Sequence, residues 1–352
     1  MKHHKKPCQS YLFFLFIAAF FSLLLSGCGK RAKPDISKVM IVFRSDRFDH
    51  DLYANRDRPL EVTDSILAAK YGTFYQDYAY RMVGNGSYTT AQVINYVYKD
   101  KAYLDLQKET DSVFKDLKPF NNQLEETFKY IKYYYPEVKV PRFVYFVSGF
   151  AVQTPIGDGY LGIGLDMFLG RDSKFYGAIV QSVPRYISRR FTPEYLVPRA
   201  TETFAREDLF PEKDEDKTLL SKMVHNGKIL YFMDQVLPDK IPDSVKIGYT
   251  KKQLDWCKKY EGDIWAYYLQ NNLLYETDPQ AIQVYLTEGP FTPGLGEKNE
   301  SAPKIGVWTG WQIVRKYMEE HKEITLQQLM AEKDAQKILK DAKYKPKMQA
   351  WK

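Results

Sequence analysis

The sequence is poor in the residues that build common catalytic centres. Five histidines and three cysteines occur in 352 residues, and the histidines of the body, His50, His225 and His321, stand far apart. No two share the helical spacing that presents paired ligands to a metal, so no metal or cofactor is expected. The patterns H-E-x-x-H, G-x-S-x-G and G-x-x-x-x-G-K-[ST] are absent, which removes the locally encoded zinc, serine-hydrolase and phosphate-loop chemistries. A nucleophile served by a distant histidine stays open, because triads are spatial. Gly157 to Gly162 matches G-x-G-x-x-G, yet a dinucleotide loop opens a helix and this one leads into a strand, so it reads as a hairpin.

Long apolar runs are also scarce. The one present, Tyr11 to Leu25, follows Lys2, Lys5 and Lys6 and ends in Leu25-Ser26-Gly27-Cys28. It falls short of the roughly 20 residues a bilayer crossing needs. The order of charge, apolar core and small-residue exit is that of a secretory signal. The exit resembles the bacterial lipobox, in which the +1 cysteine is acylated, so residues 1–27 are expected to leave and Cys28 to carry lipid. An ordinary cleaved signal with Cys28 there by chance is the alternative. Several acyl chains hold stably where one holds marginally. Residues 28–38 then form a basic linker with Lys30, Arg31, Lys33 and Lys38, suited to anionic lipid.

Removal of the three signal lysines takes the formal charge from +7 to about +4. Basic and acidic residues alternate, as in Glu212-Lys213-Asp214-Glu215-Asp216-Lys217, which is a solvated surface and not a phosphate-tracking stripe, so nucleic acid is not an expected partner. Cys8 leaves with the signal and Cys28 is spent on lipid, leaving Cys257 and no disulfide within the mature chain. An exported body of this kind depends on packing alone. What the chain has in quantity is aromatic side chain: 28 Tyr and 21 Phe.

The pattern predicts one α+β body over 39–346, predominantly α-helical with a small β-sheet, followed by a frayed tail at 347–352. Its N-terminal part, 39–120, opens with a strand at Val39 to Phe43 and continues in helices over Val62 to Met82, Thr90 to Tyr98 and Leu104 to Phe114. The strand-containing core, 121–346, begins with a helix capped by Asn121 or Asn122, whose Leu124, Phe128, Ile131 and Tyr135 form one stripe,. Strands follow at Val140 to Val147 and Tyr160 to Asp166. Thr192-Pro193 starts a helix that lines Val197, Ala200, Thr201, Phe204 and Ala205 along one face. Helices at Leu219 to Leu237 and Ile305 to Glu320 carry Gly227, Gly306 and Gly310, glycines that permit close approach. Thr250 to Gln253 has capping-box spacing.

Two resemblances attach to these elements. The order strand, strand, helix with Thr201-Glu202-x-x-Ala205, then a glycine-bearing helix, loosely resembles a zincin metallopeptidase core. In that frame Glu202 takes the general-base position, Thr201 and Ala205 take the positions of the two histidines, and His225 is the best-placed spare base. The frame implies a core without its metal ligands. More specific are Tyr130-Ile131-Lys132-Tyr133-Tyr134-Tyr135-Pro136, Ile163 to Gly170, Pro184-Arg185-Tyr186-Ile187, Ile247-Gly248-Tyr249-Thr250, Asn272-Leu273-Leu274-Tyr275 and Gly306 to Arg315. These resemble the gliding-motility lipoprotein GldB family of Bacteroidota. That resemblance implies a non-enzymatic envelope lipoprotein associated with gliding motility and the linked secretion machinery. Its partners would be the membrane, through the lipid, and other envelope proteins. The basic linker favours the outer membrane's periplasmic face. An envelope hydrolase centred on Glu202 is the rival expectation.

Overall fold

The computed structural model describes residues 32–84, 86–213, 215–296 and 300–348. The signal peptide, Cys28 and residues 349–352 lie outside the described residues. Contacts divide the chain between Lys38 and Val39. In the first unit Asp35 accepts hydrogen bonds from the Ser37 amide at 2.9 Å and hydroxyl at 3.1 Å.

The second unit is helical apart from four strands, β1 (Ser45–Arg47), β2 (Arg142–Phe146), β3 (Ile156–Gly157) and β4 (Tyr160–Gly164). They lie in the order β1-β2-β4-β3, with β1, β2 and β4 parallel and β3 antiparallel at the edge. This is α+β, predominantly helical with a small sheet, as the pattern predicts. β2 is buried on both faces because its side chains alternate. Phe143 and Tyr145 enter the larger core, with Phe128, Leu161 and Ile163, while Val144 and Phe146 enter a smaller core with Phe48, Phe74 and Tyr78.

The smaller core explains much of the aromatic content. Phe48 is ringed by Tyr71, Phe74, Tyr75 and Tyr78 at centroid distances of 4.6 to 6.2 Å. Tyrosine serves there because its ring fills the core while its hydroxyl reaches a partner. Tyr75 donates to Asp64 at 2.6 Å, Tyr160 to Asp77 at 2.8 Å and Tyr78 to the Val147 carbonyl at 3.1 Å.

The larger core is built on the helices Leu219–Val236 and Ile305–Glu320, which meet at their glycines. A Cβ on Gly227 would stand 2.3 Å from the Gly310 carbonyl oxygen, and one on Gly310 would stand 1.8 Å from that of Met223. Beyond the glycines, Asp234 accepts from Trp311 Nε1 at 2.9 Å, Arg315 Nε at 2.8 Å and Lys246 Nζ at 2.7 Å. Arg315 also lies over the Trp311 ring, 3.7 Å from its centroid.

Several predicted elements differ in the structure. Val39 to Phe43 is unpaired, and the first strand falls at Ser45–Arg47. The register β1 keeps with β2 places Pro141 opposite Phe43; the Arg44 amide does not bond the Pro141 carbonyl, and beyond that point proline has no N–H to offer. The long helix expected through Met82 breaks at Gly72, whose φ is +51°. The helix expected to be capped by Asn121 or Asn122 starts at Lys118, with Pro119 in its first turn. Thr192 contributes no side-chain cap. The Thr250 and Gln253 capping box is present in both directions.

The glycine contact sets a test. Gly310→Ala must separate two backbones and is expected to destabilise the full chain by about 3 kcal/mol or more, read by denaturant unfolding. Gly177→Ala, where a Cβ would meet nothing within 4 Å, should shift stability by less than about 1 kcal/mol. Equal effects from the two substitutions would contradict the backbone contact.

Candidate functional site

The structure divides the four residues of the peptidase-like frame between the core and its surface. Thr201 and Ala205 are fully buried in the larger core, and the Thr201 hydroxyl donates to the Val197 carbonyl at 2.8 Å. The two would-be ligand positions are thus packing positions. Glu202 faces the other way, with Arg199 Nη1 at 2.6 Å and Arg206 Nε at 2.9 Å. Burial pushes its carboxyl up, but the charges of Arg199, Arg206 and Lys304 outweigh burial and hold it well below the usual carboxylate range. A general base needs proton affinity near the working pH, and this carboxylate has given up that affinity to its arginines.

His225 is half-buried, and desolvation lowers it to about 4, with Arg206, Lys228 and Lys222 pushing the same way and Glu212 opposing. Arg206 therefore bonds Glu202 and repels a charge on His225, so the structure brings the two into one neighbourhood through a shared cation. Cys257 is fully buried, and burial raises its thiol well above the ordinary value. His321 is turned toward Glu323 at 3.1 Å and the Tyr317 ring at 4.9 Å.

A second constellation lies at the carboxyl edge of the parallel strands, where open α/β sheets gather their ligands. Asp49, Ser148 and Asp166 each stand two residues beyond the end of β1, β2 and β4. Asp49 is buried and bound by Arg47, Nε to Oδ1 at 2.8 Å and Nη2 to Oδ2 at 2.5 Å. Arg47 Nη2 also reaches Asp111 at 3.0 Å, and Gln107 Nε2 donates to Asp49 at 2.9 Å and to Asp111 at 3.0 Å. His50 Nε2 lies 2.8 Å from Asp111.

Ligand atoms of Asp49, His50 and Asp111 fall within 4.8 Å of one another, a spacing a metal ion could use. The Arg47 guanidinium already sits between the same two carboxylates and supplies their counter-charge. The crevice beside them, lined by Asp49, Tyr53, Tyr78, Tyr103 and Gln107, has no room for a water molecule.

Asp166 is fully buried. Its Oδ2 accepts from the Phe150 amide at 2.6 Å and from the Ser148 amide at 3.2 Å and hydroxyl at 3.3 Å, while Oδ1 has no partner among the described residues. The loop that wraps it holds Gly149 at φ 71° and Phe150 at φ 68°, and a phenylalanine in the left-handed region is held there at a cost of about 1 kcal/mol or more. Burial raises the carboxyl to about 6, and the hydrogen bonds from Phe150 and Ser148 pull it back only in part. Sequence reasoning placed Asp166 at a strand end and missed its role. The usable signal was an acid in an otherwise apolar run, Ile163 to Leu169.

A family model described as gliding motility protein GldB matches residues 29–346. The chain belongs to the GldB family. Its match starts one residue after Cys28 and ends at Pro346, and it contains both constellations. No curated protein and no solved structure matches, so the peptidase-like frame has no support from a known fold. Two of the stretches resembling the GldB family have physical roles here. Ile163 to Gly170 carries Asp166, and Gly306 to Arg315 carries the glycine contact and the Arg315 clamp on Asp234.

The Asp166 shift fixes a pH dependence and its sign. Folding raises this carboxyl from 3.8 to about 6, so the folded state binds the proton more tightly. The cost of the buried charge is fully present above pH 6 and is relieved as pH falls toward 4. Relative to Asp166→Asn, the wild-type chain should gain about 2 kcal/mol of stability between pH 7 and pH 4, the remainder of the gain coming below the unfolded pKa. Unfolding curves of the pair across that window test this, and a difference independent of pH would exclude the buried charge.

Proposed function

We propose that the chain is a lipid-anchored, non-enzymatic component of the cell envelope that binds other envelope proteins of the gliding-motility and linked secretion machinery. Family membership points to a gliding-motility lipoprotein. The observation that carries the non-catalytic half of the reading is Glu202 clamped between Arg199 and Arg206, an ionised acid with no proton affinity left to use. Among the described residues no helix is long and apolar enough to cross a membrane. The basic residues after Cys28 favour the periplasmic face of the outer membrane, where anionic headgroups meet the linker. The only covalent group this reading requires is the lipid.

Two measurements on the full-length protein test it. Cys28→Ser is expected to move the protein from the detergent phase to the aqueous phase with the circular dichroism of the body unchanged. Partitioning identical to wild type would overturn the lipid anchor. Metal analysis of the purified protein is expected to give no stoichiometric zinc. One tightly held zinc per chain, lost on Glu202→Gln or His225→Ala, would overturn the non-enzymatic reading in favour of a hydrolase.

A further inference from the structure

The sheet ends on one side in a strand that the protein itself does not finish. β1 pairs over three residues, Ser45–Arg47, and the ladder begins with the Phe143 amide donating to the Arg44 carbonyl at 2.9 Å. The next bond in register would run from the Arg44 amide to the Pro141 carbonyl and is not formed, and the one beyond it would need an amide hydrogen that Pro141 lacks,. Val39–Phe43 belongs to no helix or strand, and none of its backbone groups bonds another described residue. Its side chains alternate as in a strand. Ile41 and Phe43 pack on the larger core, Phe43 stacking on Phe143 at 5.0 Å, whereas Met40 and Val42 are 84% and 69% exposed.

The segment Val-Met-Ile-Val-Phe is thus a β-prone run whose side chains alternate as in a strand and whose amides bond no other described backbone group, a template of the kind proteins otherwise blunt or cover. Backbone groups of successive strand residues point alternately to the two sides. Arg44 faces β2, so the amides of Ile41 and Phe43 face the open side.

We propose that Val39–Phe43 is a docking strand that takes an extended apolar segment, flanked by acidic residues, from a partner protein. This deepens the interaction-component reading and rests on it. Main-chain pairing would supply affinity, and the flanks would supply choice. Lys38 precedes the run and the exposed Arg44 follows it. A second copy pairing antiparallel about Ile41 would place its Arg44 opposite Lys38 at both ends, and like charges directly opposite destabilise a pair. A partner with acids at those positions meets the reverse situation. The nearest acid of this chain, Asp46, is already held by Arg142 at 2.7 Å and does not neutralise the flank.

Hydrogen exchange on the full-length protein in detergent micelles tests the proposal. The probes are two synthetic peptides of alternating valine and threonine, one ended by glutamates and one by lysines. The glutamate-ended peptide should slow the Ile41 and Phe43 amides at least about tenfold and the lysine-ended peptide should not, with Arg44→Glu reversing the preference. No protection by either peptide, or equal protection unaffected by Arg44→Glu, would overturn it. So would a dimer in sedimentation whose Ile41 and Phe43 amides are slow without peptide, which makes a second copy the occupant. Zinc content and detergent partitioning do not depend on this edge, so a negative result here fails alone.

Discussion

Two helices touch backbone to backbone, and the larger core is arranged around that contact. The Leu219–Val236 helix brings Met223 and Gly227, the Ile305–Glu320 helix brings Gly306 and Gly310, and no side chain of any size fits between them. Close approach removes side-chain volume from the seam, so the flanks must supply it. Trp308, Trp311 and Tyr317 do so from one helix, with Met223, Leu230 and Tyr231 from the other. Rotation about the contact is then blocked by charge. Asp234 is held by Trp311, Arg315 and Lys246, while Arg315 also reaches Asp243 at 2.9 Å. A disulfide-free body thereby obtains a fixed crossing from shape and a single compensated acid.

The sheet depends on that body for one face and on the aromatic N-terminal layer for the other. Because β2 is covered on both sides, the polar groups that end the strands have nowhere to go except along the carboxyl edge. Arg47 neutralises Asp49 there, Gln107 ties Asp49 to Asp111, and the loop after β2 closes on Asp166. At the other end the ladder closes with the bond from the Phe143 amide to the Arg44 carbonyl, short of Pro141, and Val39–Phe43 lies outside the sheet with Ile41 and Phe43 packed on the larger core.

Local chemistry was legible in the sequence where it was self-contained. The stripe Leu124, Phe128, Ile131 and the Thr250 to Gln253 box are periodic signals that need no knowledge of the tertiary fold. The glycine contact was legible too, because Gly227 and Gly310 interrupt strong helical patterns for which packing is the ordinary reason. The strand at Val39–Phe43 was misplaced because its fate depends on the register of a partner strand about a hundred positions away, which residue preference cannot see. The Asn121 cap failed for a nearer reason, since Pro119 is preset for a first helical turn and pulled the start forward to Lys118. Asp49, Ser148 and Asp166 were not grouped because what unites them is position at the ends of parallel strands, and strand order is a tertiary fact.

The titratable groups argue together about what the body does. A hydrolytic centre needs a base or nucleophile that exchanges its proton near neutrality and meets a substrate. Glu202 is too acidic, His225 falls to about 4, and Cys257 and Tyr249 are pushed far up by burial. Asp166 alone of these comes to about 6, and its carboxylate is closed over by Ser148 and Phe150. Burial and pairing have thus been used on these groups to hold shape. The backbone of Val39–Phe43 is in the opposite condition, with no hydrogen bond to another described residue. With Cys28 acylated as proposed, the eleven residues from Cys28 to Lys38 reach at most about 40 Å, so whatever pairs with that edge is bound close to the membrane.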